Sequence, residues 1–96
     1  MDWKKRVVSD TEEGMITVEV HFFATIRALI GKKTLTVKLP EGATVKDVKQ
    51  EIARRYPQAG QALEVMLPSV NRVFSEDQTP VGEGAEIAFF PHVGGG

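Results

Sequence analysis

Residues 43–57, ATVKDVKQEIARRYP, hold the strongest helical signal in the chain, and their reading decides the fold. Val45, Val48, Ile52 and Tyr56 recur at three- and four-residue intervals with Ala53 close by, so one stripe of this helix is apolar. Thr44 can cap its N-terminus and Asp47 suits the positive end of the helix dipole. Arg54 and Arg55 suit the negative end, and Pro57 stops the helix. A helix with a single apolar stripe needs a surface to lie on, and the flanking sequence supplies strands.

On the N-terminal side, MITVEVHFF (15–23) alternates, placing Ile16, Val18, Val20 and Phe22 on one face and Thr17, Glu19, His21 and Phe23 on the other. ATIRALIGKK follows, where Ile26, Leu29 and Ile30 fall at helical spacing and Gly31 can supply a left-handed end, which predicts a short helix. TLTVKL alternates again through Leu35, Val37 and Leu39 before Pro40 and Gly42 turn the chain. On the C-terminal side, ALEVML and SVNRVF read as short strands around Pro68, with Asn71 a turn residue between them. SEDQTPVGEGAE is a polar connection, and EIAFFP is the last strand. Several strands and one principal helix predict a two-layer α+β domain. Residues 1–14 lack a sustained period and read as a mobile extension, in which nothing assigns Trp3 a role; residues 15–96 form the domain, with a tail from about residue 91.

Composition narrows the function. The chain has 96 residues, enough for one core and too few for two. A formal charge of −1 gives no basic field, so nucleic acid is not an expected partner. The apolar runs are too short to cross a bilayer and the N-terminus lacks the apolar stretch of a secretory signal, so the expectation is no membrane and a cytoplasmic location. There is no cysteine, which removes disulfides, thiolate metal sites and thiol nucleophiles. His21 and His92 are the only imidazoles, so neither a metal site nor a self-contained catalytic triad is expected.

Two glycine segments resemble phosphate-binding loops only superficially. VGEGAEI lacks the third glycine of a dinucleotide fingerprint, and IGKKT has Ile26 where a phosphate loop needs its first glycine and Lys33 where it needs a hydroxyl; both are turns. Arg27, Lys32 and Lys33, and likewise Arg54 and Arg55, read as solvated surface because acidic residues are interleaved with them. His21, on the polar face of the first strand, is expected to be exposed and unpaired, and His92 to be exposed beside the tail.

The paired phenylalanines and the tail are more informative. If Phe22 and Phe89 enter the core, period two sends Phe23 and Phe90 to the opposite face, where clustered aromatic rings suggest a contact surface. Pro91 ends the last strand because it has no N–H to donate, and Val93 is the last side chain of any size before Gly94, Gly95 and Gly96. From Pro91 an extended tail reaches roughly 15–20 Å at about 3.3–3.6 Å per residue. Glycine adds no side chain and accepts almost any dihedral, so such a tail can thread a narrow channel in a partner and present the ionised Gly96 carboxylate there.

Taken together, VHFFATIRALIG, TVKDVKQEI, VNRVF and GEGAEIAFFPHVGGG resemble the MoaD/ThiS family of ubiquitin-like sulfur carriers, from about Met15 to Gly96. The short helix after strand one is similar to the molybdopterin branch, since the thiamine branch passes there by a tight turn. Two features depart from that branch: His92 stands where a second proline is usual, and Gly94 precedes the terminal glycine pair. The resemblance implies a β-grasp fold, a mixed sheet packed on one main helix with a short helix after strand one. It implies a carrier that is not an enzyme alone and binds no cofactor. A ubiquitin-activating-type adenylating enzyme would use ATP to activate Gly96, and a sulfur donor would convert it to a thiocarboxylate. The tail, through Gly94 and Gly95, would then enter the large subunit of molybdopterin synthase to sulfurate cyclic pyranopterin monophosphate, with Phe23, Phe90, Pro91 and Val93 as docking contacts. The alternatives are sulfur carriage for thiamine or tRNA thiolation, and a ubiquitin-like modifier joined to proteins through Gly96.

Overall fold

The computed structural model describes residues 14–91. Strand β1 (Met15–His21) pairs antiparallel with β2 (Thr34–Pro40), Val18 facing Val37 and Ile16 facing Leu39, and between them lies helix α1 (Ala24–Ile30). Helix α2 (Val45–Arg55) is followed by a 3-10 turn (Pro57–Ala59) and a short helix α3 (Gly60–Glu64). Strands β3 (Leu67–Val70), β4 (Val73–Phe74) and β5 (Glu86–Phe90) complete a five-stranded sheet of order β2-β1-β5-β3-β4. The β1–β5 pair is parallel and the others antiparallel, giving the mixed sheet that the resemblance implied.

One face of this sheet is dry. Ile16, Val18, Val20, Val37, Leu39, Ile87 and Phe89 are buried beneath Val45, Val48 and Ile52 of α2, the stripe read from the sequence. The start of α2 is fixed as its sequence implies: the Asp47 carboxylate accepts the Thr44 N–H at 2.9 Å and the Thr44 hydroxyl at 3.2 Å. The residues after β4, read as polar connection, do more than connect. The N–H groups of Val45 and Lys46 donate to the carbonyls of Thr79 and Asp77, both at 3.0 Å, satisfying donors that a helix start leaves unpaired. The Lys49 ammonium, nearly buried on α2, lies 2.8 Å from Asp77 Oδ1.

Two details differ from the sequence reading. ALEVML was expected as a strand, but Gly60–Glu64 is helical and pairing begins only at Leu67. Leu63 lies four residues after Ala59, both fully buried, and Gly60 sits so close to α2 that an added Cβ would lie 3.3 Å from Ala53 Cβ. Packing against α2 therefore overrides the alternation of Leu63, Val65 and Leu67. In α1 only Ile26 and Ile30 are buried, while Leu29 points outward, because a seven-residue helix at the end of the sheet covers the core with one narrow edge. Gly31 ends it as expected, at φ 83° with its N–H on the Arg27 carbonyl at 2.8 Å.

Candidate functional site

Among the described residues the second face of the sheet is left open, and its chemistry follows from strand register. Because β1 and β5 run parallel, His21 stands beside Ala88, and their C-terminal ends leave the sheet at the same edge. Phe23, the residue before α1, and Phe90, the last residue of β5, therefore meet: their rings stack with centroids 5.4 Å apart and planes 10° from parallel. Phe22 and Phe89 are buried, so period two assigned all four rings to their faces. Pro91, exposed and outside the strand, follows Phe90 directly, so the chain leaves the sheet from the aromatic cluster.

A third ring belongs to this cluster, and the sequence reading missed it. Phe74 meets the edge of Phe90 at 6.0 Å and 77°, and it is 70% exposed. It arrives through the β3–β4 hairpin, whose two-residue turn at Asn71 and Arg72 sets Phe74 opposite Ser69, which in turn faces Ala88. The signal was present in VNRVF, since a two-residue turn fixes register. What was not legible is that β3 lies beside β5.

These rings wall a groove of about 400 Å³ whose polar side is formed by His21, Arg72 and Glu86. His21, expected to be exposed, is half-buried. Its Nε2 is shielded from solvent without a hydrogen bond, 3.8 Å from a carboxylate oxygen of Glu19 on its own strand and 3.8 Å from one of Glu86 on β5. Arg72 Nε lies 3.6 Å from the other Glu86 oxygen. Arg27, Lys32 and Lys33 lie apart, around α1 and the turn that ends it. Among the described residues no group of three His, Cys, Asp or Glu side chains is arranged to hold a metal, and no helix is long and apolar enough to cross a membrane. Residues 1–13, His92, and the tail residues Val93, Gly94, Gly95 and Gly96 lie outside the described residues.

The arrangement is an aromatic groove at the edge of the sheet where the last strand ends. The sequence signature of the ThiS family matches residues 20–96, a span that includes all three rings and the final glycines. The chain belongs to the ThiS family. Within the wider similarity of this ThiS-family chain, the molybdopterin synthase sulfur carrier subunit of Escherichia coli (strain K12) is 35% identical over 81 residues, covering 82% of this chain and 99% of that protein. The crystal structure of small archaeal modifier protein 1 from Haloferax volcanii superposes with a TM-score of 0.76 at 21% identity, over 81% of this chain and 99% of that one. A chain from the complex of subunits 1 and 2 of the molybdopterin-converting factor of Helicobacter pylori 26695 gives 0.61 at 24% identity, over 84% and 100%. At such identities the two structures establish the ubiquitin-like β-grasp fold, and the Escherichia coli protein carries the sequence relationship.

Proposed function

We propose that this chain is the sulfur-carrier subunit of molybdopterin synthase, a cytoplasmic protein that binds no cofactor of its own and contributes a reactive terminus to enzymes made of other chains. The observation that carries the reading is the stacking of Phe23 on Phe90 at the point where Pro91 leaves the sheet. A partner that covers those rings receives the tail at a fixed origin, which limits the volume the terminus must search. The sulfur-carrier name of the Escherichia coli relative and the two-subunit complex from Helicobacter pylori support a large-subunit partner.

In this scheme an oxygen of the Gly96 carboxylate attacks the α-phosphorus of ATP on a ubiquitin-activating-type enzyme, and pyrophosphate leaves. The resulting acyl-adenylate is an electrophile where the carboxylate was not. Sulfur delivered at the oxidation level of sulfide then attacks the acyl carbon, AMP departs, and a thiocarboxylate remains on Gly96. Pro91 and Val93 would contact the large subunit, and Gly94 and Gly95 would pass through its channel without side chains to obstruct it. The large subunit brings cyclic pyranopterin monophosphate to the sulfur and supplies the catalytic groups.

The test is restoration of pterin cofactor synthesis in cells that lack their own carrier. The intact chain is expected to restore it, and variants lacking Gly95 and Gly96 or carrying Phe90→Ala are expected to fail. The Haloferax likeness keeps one second reading in view, a modifier joined to lysines through Gly96. Isopeptide-linked ladders in cells expressing the chain would favour that fate, whereas a thiocarboxylated free chain favours sulfur transfer.

A further inference from the structure

In the hairpin joining β3 to β4, Asn71 and Arg72 both have positive φ, 51° and 72°. This is the primed two-residue turn that matches hairpin twist, and its second position favours glycine. Asn71 has a local reason to be there. Its N–H donates to the Glu86 carbonyl at 2.8 Å, and its Oδ1 accepts the Glu86 N–H at 2.9 Å, tying the turn to β5. Arg72 has no comparable reason. Its Cβ is crowded in the left-handed region, its side chain is 87% exposed, and its 3.6 Å approach to Glu86 is a solvent-screened pair that contributes little. A backbone outlier without local compensation points to use, and the use is indicated by position. Two residues later comes Phe74, and Arg72 stands with it at the edge of the aromatic groove.

We infer that Arg72 is a specificity-determining residue of the docking face: it selects a partner surface that sets a carboxylate beside the apolar side chain filling the groove. The occupant is the large subunit of molybdopterin synthase, so the inference rests on the proposed function. Three aromatic rings accept almost any apolar protrusion, whereas an exposed guanidinium at their rim gives a carboxylate placed directly against it a charge-assisted partner. Arg72 Nε lies 3.6 Å from a Glu86 oxygen, and the guanidinium keeps donors for a partner because five N–H groups share one fork.

The experiment titrates the purified chain against the large subunit from the same organism by calorimetry at low and high salt, alongside thermal unfolding of each variant. Arg72→Gly relieves the turn and is expected to melt roughly 2–6 °C higher than the parent. It is also expected to bind about tenfold more weakly at low salt, a deficit that shrinks at high salt. Arg72→Gln keeps the backbone cost, so it loses affinity without gaining stability. Adding Glu86→Gln to Arg72→Gly leaves the affinity low. Tight binding by Arg72→Gly overturns the inference, and so does recovery in the double variant, since Arg72 would then only mask its neighbour's charge. If Phe90→Ala weakens binding while Arg72→Gly does not, this inference falls and the docking face stands. If the parent chain itself does not bind the large subunit, the proposed function falls and takes the inference with it.

Discussion

Adjacent phenylalanines at positions 89 and 90 have opposite tasks. Phe89 is fully buried, and truncating such a ring removes transfer free energy and leaves a cavity. Phe89→Ala is expected to cost about 3–5 kcal/mol in urea unfolding, a large part of the stability of a domain this size. Phe90 lies on the open face between Phe23 and Phe74, so Phe90→Ala is expected to change stability by only about 1 kcal/mol. In a binding measurement the same truncation is expected to cost about 2 kcal/mol or more, the signature of an interface anchor. Equal losses of stability in the two variants would contradict this division. The division was legible in the sequence because period two needs only local information. Phe74, the surroundings of His21 and the ion pair of Arg72 with Glu86 were not legible, because each depends on which strands lie side by side.

Helix α2 shows what the sequence reveals of an element and what it leaves out. Its cap, apolar stripe and terminal charges were all read correctly, since each is set by residues within a few positions. The reach of Lys49 to Asp77 was not, because it joins the helix to a loop 28 positions away. Removing Asp77 leaves a nearly buried ammonium without its carboxylate, so Asp77→Ala is expected to cost about 2 kcal/mol. Adding Lys49→Met should recover most of that loss in the same urea assay, and failure to recover it would deny the pair this role. At the other end of the helix, hydrogen bonds from Arg54, and then from Arg55, hold the Glu51 carboxyl below its ordinary value despite partial burial, which acts in the opposite direction. A lowered carboxylate pKa contributes stability above the unfolded-state value, and that contribution is lost as pH falls through the folded value. Glu51→Gln is therefore expected to cost about 0.3–0.5 kcal/mol at neutral pH, with the difference from the parent closing in strongly acidic buffer. A difference that persists there would mean that packing, not charge, is responsible. Helix α3 was misread for the converse reason: five residues are too few to display a period, and burial of Ala59 and Leu63 in the core beneath α2 goes with the helical conformation.

Across the molecule, parallel pairing of β1 with β5 is the decisive feature. It brings Phe23, two residues beyond β1, and Phe90, the last residue of β5, to one edge, so the surface proposed to receive a partner lies where Pro91 leaves the sheet. The mixed sheet was an expectation of resemblance more than of pattern, since alternation says which face a residue takes but not the direction of its neighbour. The rigid body and the tail should therefore be separable in experiment. A variant lacking Gly95 and Gly96 is expected to match the parent in urea unfolding within about 0.5 kcal/mol while losing sulfur transfer, because glycine has no side chain to add to a core.

The central claim is that the folded body presents, and the Gly96 carboxylate reacts. Its most direct test is the intact mass of the chain after incubation with ATP, the adenylating enzyme and a sulfur donor, followed by fragmentation of the C-terminal peptide. The account predicts a gain equal to the exchange of one oxygen for sulfur, located on Gly96. An unchanged mass with partners shown to be competent on another carrier, or sulfur found elsewhere on the chain, would contradict it.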